Sequence, residues 1–135
     1  MAERKLTIEH NGVTYTGYLA TIKSTSLGWE DHGILTAFLH CEWPSSGVGV
    51  GGYGLDKFVE RGQPRRGTAY GLDHIMRILE TVGVNSWEKL PGKNVIVLFE
   101  GSGYSGSSVG IANALDDKIL ILKEHSAEWV GKANG

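Results

Sequence analysis

The chain of 135 residues contains one cysteine, Cys41, so these residues cannot form a disulfide bond among themselves. A single thiol is typical of proteins from reducing compartments. No apolar run approaches the roughly 18 residues that a membrane-spanning helix requires. The first ten residues, MAERKLTIEH, also lack the apolar core of a secretory signal. We therefore expect a cytoplasmic protein without a membrane partner.

A large net charge is also absent. The chain has 13 basic and 15 acidic residues, a formal charge of -2, so the whole molecule does not attract polyanions and any anion site must be local. Hydrophobic residues make up 41% of the chain, which is typical of globular rather than disordered proteins. Without a visible linker or repeat, residues 1–135 are predicted to form a single domain.

Proline is scarce, with 3 residues, whereas glycine is abundant, with 20 residues in clusters. This combination favours strands and tight turns over a flexible linker. Apolar and polar residues alternate on both sides of Asn11-Gly12, which predicts a β-hairpin. We interpret residues 1–17 as an N-terminal addition formed by this hairpin. Further strands are predicted at residues 34–43, near residues 48–53, at 94–99, and in a hairpin over 110–122.

One segment has the apolar spacing of a helix. Thr68 suits the N-cap position and Gly83 suits the residue after the helix end. The predicted apolar face consists of Leu72, Ile75, Met76, Leu79 and Val82. Together the segments predict an α+β fold, a mainly antiparallel sheet of about six strands with one long amphipathic helix packed on it. Residues 124–135 are predicted to form a loose tail.

Two arginines, Arg65 and Arg66, directly precede this helix. A helix start presents free N–H groups and a partial positive charge, and arginine binds phosphate through paired donors. The segment is therefore either an anion site completed by Thr68 or a solvated basic loop in which Thr68 only caps the helix. Arginines at this end oppose the helix dipole, which favours the anion site.

Patterns for catalysis or metal binding are weak. Residues 101–106, GSGYSG, match a dinucleotide fingerprint, but Gly110 interrupts the helix that should follow, so a loop near a ligand or a plain connection is favoured. The five histidines lack metal-ligand spacing with one another or with Cys41. Asp31-His32 is the best catalytic candidate, although a self-capping turn explains it better. We predict no enzyme activity, catalytic residue, metal or cofactor.

Aromatic residues flank the polar loops: Trp29, Tyr53, Tyr70 and Phe99. Each could stack on a nucleobase or pack in the core. Because these aromatic residues occur together with arginines and glycine-rich loops, the sequence favours a small anionic ligand that contains a base.

Several segments resemble the first-described family of Thoeris anti-defence proteins, which are small phage and prophage proteins. SLGWEDHGI and RRGTAYG are the most specific, and GVGGYGLD and SVGIANALDD agree with them, so the similarity covers most of residues 18–118. The resemblance implies a sponge that sequesters a cyclic ADP-ribose isomer from a host immune enzyme without cleaving it. Some relatives also hold cyclic oligonucleotides at a second type of site. The GSGYSGSS loop is longer than the family pattern, and residues 1–17 depart from it as well.

The resemblance also implies a homo-oligomer, a dimer or a larger assembly up to a hexamer, in the host cytoplasm. For such a ligand the expected binding residues are Arg65, Arg66, Thr68, Tyr70, Phe99 and Asn113. The first three would hold the pyrophosphate, an aromatic ring would stack on the base, and the asparagine would read its edge. Two other functions stay open. One is a phage accessory protein that binds nucleic-acid phosphates, which the net charge of -2 disfavours, and the other is a nucleotide hydrolase that uses Asp31-His32.

Overall fold

The structure, a computed structural model, describes residues 4–101 and 107–130. Within these ranges, seven strands form one antiparallel sheet and two short strands form a separate ribbon. The strands are β1 (Lys5–His10), β2 (Val13–Trp29), β3 (Leu35–Trp43), β4 (Ser46–Gly51), β5 (Asp56–Lys57), β6 (Arg66–Gly67), β7 (Asn94–Glu100), β8 (Gly110–Asn113) and β9 (Ile119–Ile121). The helices are α1 (Ala69–Val82), a short 3-10 helix (Trp87–Lys89) and α2 (Leu122–Val130). The predicted α+β class with a mainly antiparallel sheet is confirmed, with seven strands rather than six.

Strand β2 is the centre of the sheet, which runs in the order β4-β3-β2-β7-β8-β9. Its 17 residues pair with β1 and then β3 along one edge, and with β7 along the other. A register shift between Ile22 and Ser24 marks a bulge in its pairing with β3. At the β1–β2 turn Asn11 and Gly12 both have positive φ, 50° and 78°, as a tight two-residue hairpin turn requires. The predicted hairpin is confirmed.

The main core lies between the sheet and α1. Because side chains alternate along a strand, Tyr18, Ala20 and Ile22 of β2 share a face with Val95 and Val97 of β7. Ile78 and Val82 of α1 pack against that face. The opposite face carries a smaller cluster, which consists of Tyr15, Ile96, Leu98, Ala112 and Ile121.

Helix α1 begins and ends as predicted, but its buried face is different. Thr68 is the N-cap, and Gly83, with φ 91°, donates its N–H to the Leu79 carbonyl at 2.8 Å. The buried residues are Gly71, His74, Ile78, Thr81 and Val82. Leu72 and Met76, which were predicted to face the core, are 64% and 48% exposed. The helix turns its smallest residue, Gly71, toward the Leu55 backbone, and this close approach sets its rotation.

The C-terminal segment forms a helix, α2, that packs beside α1, so the prediction of a loose tail is wrong for residues 124–130. His125 is 1% exposed and its Nε2 lies 2.6 Å from Asp73 Oδ2. The Glu124 carboxylate oxygen Oε1 lies 3.0 Å from His10 Nε2. The expectation failed because polar contacts, rather than an apolar stripe, hold this helix. Neither helix in the described ranges is long and apolar enough to cross a membrane.

Candidate functional site

Thr68 at the start of α1 uses both hydrogen-bonding capacities of its hydroxyl within the protein. Its Oγ1 accepts from the Gly71 N–H at 2.8 Å and donates to the Leu55 carbonyl at 2.8 Å. The hydroxyl therefore caps the helix and links it by a hydrogen bond to the preceding loop. This agrees with the alternative in which Thr68 only caps the helix. A ligand oxygen would have to displace one of these bonds to reach it.

The Arg65 side chain is also already bound within the protein, because it forms an ion pair with Asp56. Its Nη2 lies 3.0 Å from Asp56 Oδ1 and also donates to the Asp56 backbone carbonyl at 3.2 Å. Burial acts to raise the pKa of Asp56, but hydrogen bonds from the Leu35 N–H and the Arg65 side chain outweigh it and hold that pKa below its usual value. The other oxygen of this carboxylate accepts from Trp29 Nε1 at 3.3 Å. One carboxylate thus holds both a guanidinium and an indole in place.

Arg66 and Lys57 are two exposed cations of the β5–β6 ribbon, which precedes α1. They are Cα partners in the β5–β6 ribbon, so their side chains lie next to each other on one face. Both are exposed, and neither forms an ion pair with any residue in the described ranges. The nearby Trp29 ring is 74% exposed, and the first turn of α1 contains no acidic residue. Lys57 and Arg66, together with the exposed Trp29 that the adjacent residue Asp56 holds, are called here the α1-start surface.

Tyr70 faces away from this surface and into the contact between α1 and α2. Its ring stacks on His125 at a centroid distance of 5.3 Å and meets His74 edge-on at 5.9 Å. Burial raises the pKa of its hydroxyl, which lies beside Ser126 without a well-aligned hydrogen bond. With one ring face covered by an imidazole, Tyr70 is a packing residue as much as a ligand-stacking candidate.

Phe99 does not stack on a ligand in this structure, because it is a fully buried core residue. Its ring is 0% exposed and packs edge-on against Tyr18 at 5.8 Å and Trp43 at 6.0 Å. A base could reach it only if the core opened. Its position at the end of a strand suggested a loop-flanking residue, but the strand alternation turns it inward.

Asn113 lies at the opposite end of α1 from Arg66, about 20 Å away along a helix of 14 residues. Its Nδ2 donates to the carbonyls of Thr81 and Val82, and its Oδ1 accepts from two N–H groups in the turn after β8. All its polar capacity is used to close the helix end and that turn. The structure therefore brings Arg65, Arg66 and Thr68 together but leaves Asn113 and Phe99 outside their surface.

The buried histidine cluster was missed at the level of sequence. His74 is 0% exposed and its ring lies 6.0 Å from His125 and 6.4 Å from Tyr53. Both His74 nitrogens and the His125 Nδ1 have no hydrogen-bond partner among residues 4–101 and 107–130. Burial lowers the pKa of His74 to about 4, and the nearby His125 acts in the same direction. The signal in the sequence is the helical spacing of His74 from Ile78 and Thr81, which places it on the same helix face.

The Asp31-His32 turn has the features of a capped turn. The Glu30 carboxylate accepts from the His32 N–H at 2.6 Å and lies 3.3 Å from the Ile34 N–H. His32 is largely exposed, and its ring pairs only with Glu30, at 3.4 Å, among the described residues. No group of three or more potential metal ligands occurs among residues 4–101 and 107–130. Of the glycine loop at residues 101–106, only Gly101 belongs to the described residues.

The one thiol, Cys41, is buried in the main core. Burial raises the pKa of Cys41 to about 12, so the group stays protonated and is a poor nucleophile.

Comparison of the chain with known protein families, curated proteins and solved structures finds no match.

Proposed function

We propose that the protein binds and sequesters, without cleaving it, a cyclic nucleotide immune signal, a cyclic ADP-ribose isomer or a cyclic oligonucleotide. The observation that carries the proposal is the α1-start surface, where Lys57 and Arg66, which form no ion pair with any described residue, pair in the same ribbon as Asp56, the residue that holds the exposed Trp29 indole. A pyrophosphate would contact Arg66 and Lys57, and the base would stack on Trp29. The signal acts in the cytoplasm of an infected host cell, so the proposal places the protein there.

The strength of such binding can be bounded. A hydrogen bond to a charged group contributes about 1.5–3 kcal/mol, and a base stacked on an aromatic ring about 1–3 kcal/mol. Nanomolar affinity corresponds to about -12 kcal/mol, so several contacts of both kinds are required. A sponge needs no chemistry, since an excess of tight binder is enough to remove a signal.

The test is calorimetric titration of a cyclic ADP-ribose isomer, followed by heat denaturation and chromatography of the released ligand. We expect binding and recovery of the intact cyclic compound. Arg66→Ala should weaken binding at least tenfold, because one charged pair of hydrogen bonds to phosphate is lost. Lys23→Ala, which removes an exposed lysine on β2, is the matched control and should bind normally.

Each contrary outcome has a meaning. Recovery of linear ADP-ribose would show turnover and favour the hydrolase. Normal binding by Arg66→Ala would remove the α1-start surface from the site. Binding of a single-stranded oligonucleotide can be followed by fluorescence anisotropy. Tight binding of the oligonucleotide without any binding of the cyclic compound would favour the accessory protein that binds nucleic-acid phosphates, since the same two cations suit either ligand.

A second part of the proposal is that the protein is a homo-oligomer. Leu72 and Met76 are one turn apart on the outer face of α1, 64% and 48% exposed, with the half-buried Ile75 and Leu79 beside them. An apolar stripe of this kind on a helix is typical of a face that meets another protein surface. A second copy of the chain is the partner that the family resemblance implies.

Light scattering at micromolar concentration should therefore give a mass of at least two chains. Met76→Glu, which places a charge in the stripe, should shift the protein toward the monomer, whereas Glu80→Gln on the same helix should not. A wild-type monomer under these conditions would contradict the proposal.

A further inference from the structure

A pocket of about 360 Å³ lies between the β1–β2 hairpin, the end of β7 and α2. It shares no residue with the α1-start surface and is therefore a separate cavity. Much of its wall is apolar, contributed by Val13, Val109, Ile121, Leu122 and Ala127. Its size falls within the range of small-molecule sites, which combine apolar walls with a few polar groups.

The polar groups of the pocket include Tyr15 and Glu100. They are directly opposite partners on β2 and β7, so both side chains lie on the same face of the sheet. Tyr15 is only 3% exposed, yet it lines the pocket, and its hydroxyl has no hydrogen-bond partner within residues 4–101 and 107–130. The hydroxyl oxygen is not among the fully enclosed polar atoms that lack a partner, so it reaches the space of the pocket. The pocket therefore offers a free donor and acceptor next to a carboxylate.

The charge of the pocket is negative on balance. Glu100 and Glu124 line it together with a single cation, Lys123. Glu124 is 3.0 Å from His10 Nε2, whereas Glu100 forms no ion pair with any described residue. The pKa of Tyr15 is raised, first by burial and then by the charges of Glu124 and Glu100.

We propose that this pocket binds a small organic cation, a primary ammonium group on an aromatic or branched apolar body. The ammonium group carries three donors, which match the free Glu100 carboxylate and the Tyr15 hydroxyl oxygen. Tyr15 and Tyr53 both line the pocket, and an aromatic ring attracts a cation that reaches its face. The apolar body packs against Val13 and Val109. Phosphates and carboxylates are repelled here, in contrast to the α1-start surface.

The probe for the test is benzylammonium, titrated at pH 7 into the full-length protein and followed by calorimetry. Benzyl alcohol, a neutral analogue of nearly the same shape, and benzoate, an anion, are the comparison ligands. We expect benzylammonium to bind at least tenfold more tightly than benzyl alcohol, and benzoate to give no measurable heat. Such a ratio would show that charge, and not the apolar wall alone, selects the ligand.

Two variants locate the site. Glu100→Gln keeps the size of the side chain but removes its charge, and it should weaken benzylammonium at least tenfold while leaving the melting temperature unchanged. Tyr15→Phe, which keeps the ring and removes the free hydroxyl, should weaken it several-fold. Glu88→Gln, on the 3-10 helix, is the matched control and should have no effect. Equal affinity for benzylammonium and benzyl alcohol, or unchanged binding by Glu100→Gln, would overturn the proposal.

Discussion

Gly71→Ala is expected to destabilise the protein by about 3 kcal/mol, although alanine normally stabilises a helix relative to glycine. A Cβ at this position would overlap the Leu55 backbone oxygen and lie 2.9 Å from its carbonyl carbon. Backbone atoms cannot rotate away as a flexible side chain can, so α1 and the Leu55 segment must separate. That separation also breaks the hydrogen bond from the Thr68 hydroxyl to the Leu55 carbonyl. Urea denaturation followed by circular dichroism measures the loss.

Gly67→Ala is the matched control for this substitution. A Cβ at Gly67 meets no atom within 4 Å, and its backbone does not have positive φ. It should change the unfolding free energy by less than about 0.5 kcal/mol, which is usual for an exposed position. If Gly71→Ala stabilised the protein, the close approach of α1 to Leu55 would be refuted.

The second large effect is a loss of stability in mild acid. The pKa of His74 falls from 6.5 to about 4 on folding, mainly through burial and secondly through the charge of His125. Between these values the unfolded chain binds a proton more readily than the folded one. The contribution of His74 is therefore complete above pH 6.5 and is lost as the pH falls toward 4, by about 3 kcal/mol in total.

The adjacent Asp73 acts on stability in the same direction but at lower pH. The contact with His125 is the largest cause that lowers the pKa of Asp73, so the stabilising effect of this carboxylate is lost only below its unfolded value of 3.8. Tyr70, whose pKa is raised by burial, stays neutral throughout this range. His74→Phe should flatten the decline of unfolding free energy between pH 6.5 and 4. His32→Phe, which changes an exposed histidine, is the control and should leave this decline unchanged. An unchanged slope in His74→Phe would assign the acid sensitivity to other groups.

Local signals in the sequence were sufficient for the elements that local chemistry determines. The Asn11-Gly12 turn, the Thr68 cap and the Gly83 helix end each depend on the conformational preference of one or two residues, and all three are confirmed. The rotation of α1 depends instead on what the sheet and the Leu55 segment present to it. A periodicity of apolar residues could not show that Gly71 and His74 face inward while Leu72 faces out.

The same distinction between local sequence and the folded chain applies to the residues of the candidate site. Arg65, Arg66 and Thr68 are neighbours in sequence, so their proximity at the start of α1 follows from the helix boundary alone. Phe99 and Asn113 were joined to them by chemical type, and their buried or saturated environments are visible only after the chain has folded. The commitment of Arg65 to Asp56 likewise requires the β5–β6 ribbon, which is too short for any pattern to reveal.

The position of β2 has a consequence for how fast the chain folds. Its pairing with β7 joins residues far apart in sequence, and the Thr16 hydroxyl reaches the Gly101 carbonyl across a separation of 85 residues. Such contacts require a long loop to close before they give any stabilisation, which slows folding to milliseconds or seconds in β-rich domains. During synthesis β2 must wait for β7 to leave the ribosome, with only the β1 hairpin and then β3 to shield its edges. The strand that organises the sheet is therefore also the one most open to intermolecular pairing while the protein is being made.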